Sequence, residues 1–180
     1  MPLYEITLGK ENMKFSSAHF TVFDRSVERL HGHNYRVFVT VRSTRLQAGL
    51  LLDFGVLKQE ARRLCETLDE RLLLAGDCKD ITLRRKGAEI EVRCRGKRYV
   101  LPESDCLVLP IANVSCECLA AWFCESLLGL LTRELQDVGV VSLAATVEES
   151  PGQSGHCEAM LAPQARRRAQ RPSKTRRGGK

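Results

Sequence analysis

The residues of this chain best suited to chemistry are three of its four histidines. His31 and His33 form an HxH pair where an alternating segment begins, and side chains at positions i and i+2 of a strand share one face. His19 ends the segment Phe15-Ser-Ser-Ala-His, twelve residues upstream of His31, so a neighbouring strand could bring it to the same place. Three imidazoles with one open position are typical of a catalytic zinc site. The alternative is that these histidines are ordinary polar residues at strand ends.

Several short alternating segments predict the strands that would carry these histidines. Residues 3–9 and 12–18 read as two strands joined by a turn, and 35–42 places three valines on one side and polar residues on the other. Residues 138–147 and 157–161 predict two further strands near the end of the folded part. The alternation in 35–42 indicates an antiparallel strand that is buried on one face only.

Two amphipathic segments predict the helices. Asp53 is a good N-cap for a helix over 54–68, and Ser115 caps a second helix over 116–136. Between them, 81–101 reads as a small inserted β-hairpin or meander, too short to carry a core of its own. Two helices long enough to cover one face of an antiparallel sheet predict an α+β fold.

The length and the distribution of charge predict one folded domain followed by a basic tail. The chain has 180 residues, of which 43% are hydrophobic, and we expect a domain over 1–162 followed by a disordered tail over 163–180. Eight lysines and arginines and no acidic residue lie from Arg166 to Lys180, so the net charge of +6 becomes −2 without the tail. We therefore expect weak, nonspecific polyanion binding by the tail, or a simply solvated end.

The sequence start and the eight cysteines favour a cytoplasmic protein. No basic segment leads into an apolar one at the N-terminus, and no apolar run is long enough to span a membrane. Cys65, Cys118 and Cys124 fall inside the helical patterns, and the spacing of Cys116 and Cys118 is not that of a zinc knuckle. We expect all eight to be reduced thiols.

Six motifs in order carry a family resemblance over about residues 4–160. They are Phe-Ser-Ser-Ala-His19, His31-Gly-His33-Asn-Tyr, Leu50-Leu-Leu-Asp53-Phe, Leu68-Asp69-Glu70, Asn113-Val-Ser115-Cys116-Glu117 and Val147-Glu148-Glu149-Ser150. Together they resemble the family of 6-pyruvoyl-tetrahydropterin and 6-carboxytetrahydropterin synthases. The resemblance implies the tunnelling fold, with a four-stranded antiparallel sheet and two helices on one side. It also implies trimers that stack into hexamers, with active sites between subunits.

The resemblance also implies a substrate and its ligands. The substrate would be 7,8-dihydroneopterin triphosphate, and Zn²⁺ would be held by His19, His31 and His33. Glu149 matches the carboxylate that anchors the amino-pyrimidine edge of the pterin, a bidentate match in physical terms. Three further residues match substrate contacts at the start of the second helix: Ser115, Cys116 and Glu117. A helix N-terminus offers free backbone N–H groups to a ligand, which makes these contacts physically reasonable.

The chain departs from the family at the catalytic base. The family's proton-abstracting cysteine lies between the first histidine and the HxH pair, but residues 20–30 contain no cysteine, and Val27 stands where the carboxytetrahydropterin enzymes carry it. The Asp-His couple that tunes that cysteine is here Asp69-Glu70, so the aspartate remains and the histidine is lost. A thiolate relay of the standard kind is therefore not expected.

Glu28 is the residue that could replace the cysteine. It stands three positions before His31, in a Glu-x-x-His-Gly-His pattern. That pattern resembles a folate-branch variant of the family, in which a glutamate takes the place of the cysteine and the side chain is cleaved to give 6-hydroxymethyl-7,8-dihydropterin. A carboxylate beside Zn²⁺ can act as a general base. The alternative is a loop acid paired with Arg25 or Arg29.

Three functions follow from these residues. The first is a zinc-dependent pterin lyase with Glu28 as base and with Asp69 and Glu70 as accessory catalytic residues. The second is a 6-carboxytetrahydropterin synthase of queuosine and deazapurine biosynthesis with an altered base. The third is a non-catalytic pterin- or zinc-binding relative whose basic tail binds a polyanion.

Overall fold

The structure is a computed structural model that describes residues 2–161. The predicted tail over 163–180 lies outside the described residues. The described part contains ten strands, two α-helices and one 3₁₀-helix, Glu103–Asp105. In chain order the strands and α-helices are β1 Tyr4–Leu8, β2 Lys14–His19, β3 His31–Ser43, α1 Phe54–Leu68, β4 Arg71–Ala75, β5 Ile81–Lys86, β6 Glu89–Cys94, β7 Lys97–Pro102, β8 Cys106–Leu109, α2 Cys116–Asp137, β9 Val140–Ser150 and β10 Gln153–Met160.

The main sheet is larger than the resemblance implied. Its strands follow the order β10-β9-β3-β2-β4-β8, and β1 also pairs with β3. Strands β10, β9, β3 and β2 are antiparallel to one another, which gives the expected four-stranded antiparallel sheet. Beyond them, β4 runs parallel to β2 and β8 runs parallel to β4, so the whole sheet has seven strands and is mixed. The α+β class is confirmed, with the antiparallel sheet at its centre.

The first two strands do not form the pair that the intervening turn suggested. Both are antiparallel to β3, with Leu8 opposite Val39 and Lys14 opposite Arg36, so they lie end to end along one side of it. Met13 keeps this side continuous, because its carbonyl accepts from the Val37 amide at 2.9 Å. The turn residues are therefore a bend between two strands that lie on the same side of β3, and not a chain reversal.

Both helices begin where the caps predicted. Asp53 accepts the Gly55 amide at 2.8 Å and Ser115 accepts the Cys118 amide at 3.3 Å, so each helix has a side-chain partner for one free N–H group. The helices cover one face of the sheet, and the core between them contains buried side chains from both helices and from β3 and β9. Neither helix of the described part combines the length and hydropathy needed to cross a membrane.

The insertion is a three-stranded meander of β5, β6 and β7 and not a two-stranded hairpin. It covers the opposite face of the main sheet, where Ile90 and Val92 pack with Leu72 and Leu74 of β4. Leu73 of β4 belongs to the core under the helices instead. Strand β4 is therefore buried on both faces, between the helices and the meander.

A close approach of β10 to the start of α2 gives the first prediction. A Cβ atom on Gly155 would lie 2.3 Å from the carbonyl carbon of Cys116 and 2.3 Å from the amide nitrogen of Glu117. Gly155→Ala must displace the first turn of α2, and we expect it to lower the free energy of unfolding by about 3 kcal/mol in urea denaturation. Gly129→Ala is the matched control, since Gly129 lies in α2 with no atom near its added Cβ; it should stabilise by up to about 1 kcal/mol. Wild-type stability of Gly155→Ala would contradict this packing.

Candidate metal centre and pterin pocket

The three predicted histidines meet where β2 ends and β3 begins. His19 is directly opposite His31 in the antiparallel pairing, and His33 follows on the same face of β3. One possible ligand atom of each lies within 4.8 Å of the others, and the ring centroids of His19 lie 4.6 Å from His31 and 5.3 Å from His33. The register of two strands therefore brings the three imidazoles together, as their spacing predicted.

Backbone carbonyls fix the orientation of two of the rings. His19 Nδ1 donates to the carbonyl of Val114 at 2.8 Å, and His31 Nδ1 donates to the carbonyl of Arg29 at 2.8 Å. Because a carbonyl only accepts, both rings carry their proton on Nδ1 when neutral, which leaves a lone pair on Nε2. Such second-shell hydrogen bonds are characteristic of metal-binding histidines.

His19 supplies the strongest sign that a ligand is expected here. Its side chain is buried, and its Nε2 atom has no hydrogen-bond partner in the described part of the chain. An unpartnered buried polar atom costs roughly 1–3 kcal/mol. Burial also lowers the pKa of His19, which favours the neutral imidazole that binds a metal. The three donors fit a divalent ion that accepts imidazole nitrogen, with room for a further ligand.

Glu28 lies beside the three histidines on a short loop. We call residues 20–30 the base loop. The Oε2 atom of Glu28 accepts the Thr21 amide at 3.1 Å, and the Glu28 amide donates to the Thr21 carbonyl at 3.0 Å. Among the ion pairs of residues 2–161, Arg25 pairs with Asp24 and none includes Glu28. The alternative of a loop acid paired with an arginine therefore has no support.

Val27, the position of the missing cysteine, does not line the cavity. Its side chain packs against the core between β4 and the meander, next to Val22, with which it forms an isolated β-bridge. Glu28, one residue on, lines the cavity instead. Successive side chains of an extended segment point to opposite sides, so only one of the two positions can face the histidines.

The opposite wall of the cavity comes from the start of α2 and the end of β9. The Sγ atom of Cys116 donates to Oε2 of Glu149 at 3.4 Å, and Nε2 of His33 lies 4.0 Å from the same oxygen. Hydrogen bonds from its own backbone amide and from the Ser115 hydroxyl lower the pKa of Glu117. Both carboxylates are thus held in defined positions at a helix N-terminus, where free N–H groups also lie.

Cys116 is the one cysteine among the residues that line this cavity in the described structure. Burial, followed by the adjacent Glu149 carboxylate, raises the pKa of its thiol to about 12. A thiol reacts as a base or nucleophile through its thiolate, which is scarce at neutral pH when the pKa is so high. Cys116 is therefore a hydrogen-bond donor here and a poor substitute for the missing catalytic cysteine.

The predicted metal and substrate residues line one cavity of about 590 Å³. Five other residues in its lining carried no signal in the sequence, since they lie in loops and at strand ends without a motif. The full lining is His19, Thr21, Phe23, Glu28, His31, His33, Ser115, Cys116, Glu117, Glu149, Gly152, Gln153 and Ser154. A site of this size can enclose a bicyclic heterocycle with a polar side chain.

Asp69 and Glu70 lie outside this cavity in a single copy of the chain. They border two other cavities, and the one that Glu70 lines is also lined by His33. Asp69 accepts the Ser16 amide at 2.7 Å, and Glu70, with a φ of 56°, donates its amide to the Ser16 carbonyl at 2.8 Å. Their catalytic role stays a prediction, and it requires a neighbouring subunit to bring them to a second copy's pocket.

This geometry defines a class of protein: an α+β fold in which three histidines face two carboxylates beside the start of a helix. The family model described as 6-pyruvoyl tetrahydropterin synthase matches residues 8–159. The chain therefore belongs to the 6-pyruvoyl tetrahydropterin synthase family, and the predicted recognition is confirmed. A relative from Methanocaldococcus jannaschii, provisionally named 6-carboxy-5,6,7,8-tetrahydropterin synthase, is 27% identical over 148 residues, which cover 81% of this chain and 88% of the relative. A relative from Pyrococcus abyssi with the same provisional name is 27% identical over 129 residues, which cover 71% of this chain and 77% of that relative.

Solved structures agree with this assignment. The 6-pyruvoyl tetrahydropterin synthase of Plasmodium vivax superposes with a TM-score of 0.85 at 26% identity, over 89% of this chain and 100% of that chain. The Plasmodium falciparum enzyme gives the same values. Two of the Plasmodium vivax structures are variants in which a glutamate, a catalytic residue of that enzyme, is replaced by alanine or by cysteine. The tunnelling fold expected from the sequence is thus shared with these pterin synthases.

Proposed function

We propose that this protein is a zinc-dependent lyase that cleaves the side chain of 7,8-dihydroneopterin triphosphate to give 6-hydroxymethyl-7,8-dihydropterin. The observation that carries the proposal is the composition of the cavity: three histidines, the Glu28 carboxylate and one cysteine, Cys116, whose thiol has its pKa raised by burial and by Glu149. A family member without a thiolate base needs another base, and Glu28 is the acid that the base loop presents to the histidines. The catalytic glutamate of the similar Plasmodium vivax enzyme supports this reading.

The chain's own residues would hold the pterin at the wall opposite Glu28. Glu149 can accept two N–H groups from the amino-pyrimidine edge, because a carboxylate matches such an edge in a bidentate way. The Cys116 thiol already donates to this carboxylate and keeps it in place. Ser115 and Glu117, at the first turn of α2, would contact the remaining polar atoms of the ring.

Glu28 would then start the cleavage as a general base. It takes the proton of the C2′ hydroxyl, a carbonyl forms at C2′ and the C1′–C2′ bond breaks, with its electron pair passing into the pterin ring. C1′ afterwards gains a proton, which leaves the hydroxymethyl group, and the rest departs as glycolaldehyde triphosphate. When bound by His19, His31 and His33, zinc supplies a Lewis acid that polarises the reacting oxygen.

A second candidate is 6-carboxytetrahydropterin synthesis. It is favoured by the provisional names of the two archaeal relatives. Against it stand the valine at position 27 and the raised pKa of the Cys116 thiol, since neither position favours the expected thiolate base. We therefore rank it second.

The oligomer is part of the proposal. Asp69 and Glu70 lie outside the cavity of their own chain, as expected if the active site forms between subunits of a trimer or hexamer. A neighbouring copy could present them to the pocket. Their charge and position would then assist proton transfer.

Mass spectrometry of the products tests the proposed function directly. Purified, zinc-loaded protein incubated with 7,8-dihydroneopterin triphosphate is expected to release 6-hydroxymethyl-7,8-dihydropterin. A carboxylated pterin together with acetaldehyde would favour the second candidate instead. Complete absence of turnover by the zinc-loaded oligomer would contradict both.

A further inference from the structure

The base loop is attached to the meander by its backbone. We call the tight turn between β6 and β7, Arg95 and Gly96, together with the first residue of β7, Lys97, the meander tip. The Nζ atom of Lys97 donates to the carbonyl of Val27 at 3.2 Å and to the carbonyl of Glu28 at 2.5 Å. One ammonium group therefore holds two successive peptide units at the position of the proposed base, through charge-assisted hydrogen bonds.

The second cation of the meander tip holds the loop at its outer end. The Arg95 guanidinium donates to the carbonyl of Asp24 and forms an ion pair with Asp80 at 2.8 Å. Gly96 has a φ of 82°, in the left-handed region that glycine adopts without strain, and this lets the chain turn between the two cations. Both cations thus bind main-chain oxygens of the same loop.

Contacts on the other sides complete the attachment. Phe20 stacks on Tyr99 of β7 with ring centroids 5.8 Å apart, and Val22 and Val27 pack against the core under the meander. The Asn113 side chain binds both the amide and the carbonyl of Val22, at 3.1 and 2.9 Å. The loop is therefore held between the meander and the segment before α2, and Lys97 binds its backbone on both sides of the Glu28 Cα atom.

We infer that the inserted meander is a positioning element for Glu28 and that Lys97 is its positioning residue. This inference rests on the proposed function, in which Glu28 is the base. Lys97 does not bind the carboxylate; it fixes the peptide units on either side of the Glu28 Cα atom. Since a shift of about 1 Å in a reacting group can cost about 100-fold in rate, such anchoring bears directly on turnover.

Lys97→Met tests the inference because methionine keeps the length of the side chain and removes its donors. We expect kcat to fall about 10- to 100-fold with less than about a threefold change in KM, as for loss of alignment after binding. Lys97→Arg should restore most of kcat, since a guanidinium can also donate to two carbonyls. The matched control is Arg98→Met, because Arg98 is the next residue of β7 and its guanidinium binds Glu91, not the base loop, within residues 2–161. Its kcat should stay near that of the wild type.

Hydrogen exchange of the zinc-loaded protein separates this inference from the proposed function. In Lys97→Met the amides of Thr21 and Glu28 should exchange faster, while in Arg98→Met they should exchange as in the wild type. If the wild type has no lyase activity, the proposed function is wrong. The amide exchange rates of Lys97→Met would still show whether Lys97 holds the loop. Unchanged exchange and unchanged kcat in Lys97→Met would overturn the inference.

Discussion

Replacing Glu28 by glutamine is expected to lower kcat for pterin cleavage about 1,000-fold, or about 4 kcal/mol of transition-state stabilisation. Glutamine has nearly the same shape, and its side-chain oxygen can still accept the Thr21 amide that Glu28 binds at 3.1 Å. The variant should therefore fold normally and bind zinc, so that the lost step is proton removal alone. KM for the pterin should change little, because the wall that binds the ring is on the other side of the cavity.

Asp24→Asn is the matched control, since Asp24 lies in the same loop, its side chain is almost fully exposed, and its one ion pair within residues 2–161 is with Arg25. It should leave kcat at the wild-type value. Steady-state kinetics with product detection would give both numbers. Two results together would contradict this assignment: a wild-type kcat in Glu28→Gln and a large loss of kcat in Cys116→Ser. They would identify the Cys116 thiol as the base.

The helices and the central strands could be predicted because their signals are local. Asp53 and Ser115 occupy N-cap positions, and α1 begins and ends at the residues that its apolar spacing indicated. The alternation of β3 has its physical cause in a sheet with helices on one face. In each case a few neighbouring residues determine the element, and the rest of the chain agrees with them.

Strands β4 and β8 were not predicted, and their sequences explain why. Leu72, Leu73 and Leu74 are all buried, because the helices cover one side of β4 and the meander covers the other. A strand buried on both faces loses its alternation, and a short apolar run cannot be told from part of a helix by its period. Only the tertiary arrangement shows that this run is a strand.

Some features of the candidate site could be predicted from the sequence and others could not. The HxH pair and Ser-Ser-Ala-His19 indicated a shared centre, since strand register alone can join them. The partner of His19, the carbonyl of Val114, is distant in sequence and has no side-chain signature, so no pattern could reveal it. The sequence also could not predict that Lys97 binds the backbone at Glu28. A lysine that donates to main-chain carbonyls has the same sequence pattern as an ordinary surface lysine.

Removing one histidine of the three-histidine group is expected to abolish the proposed zinc binding and the proposed lyase activity with it. His31→Ala is the best variant, because the His31 side chain is exposed whereas His19 is buried and its loss would also open a cavity in the core. Even outer-shell partners of a metal change its affinity by about 10- to 100-fold, so loss of a direct ligand should raise Kd by at least about 100-fold. Zinc content after dialysis should fall from one ion per chain to a small fraction.

Zinc-dependent thermal stabilisation is a second measurement of metal binding, and it does not depend on turnover. With free zinc at about 100 times the wild-type Kd, binding stabilises the folded wild type by about 2.7 kcal/mol, and a 100-fold weaker site keeps only about 0.4 kcal/mol of this. The matched control is His156→Ala, since the fourth histidine is exposed on β10 and bonds to Thr146, outside the three-histidine group. Its zinc-dependent stabilisation should equal that of the wild type. Equal zinc content and equal stabilisation in His31→Ala would show that the histidines are not the metal site.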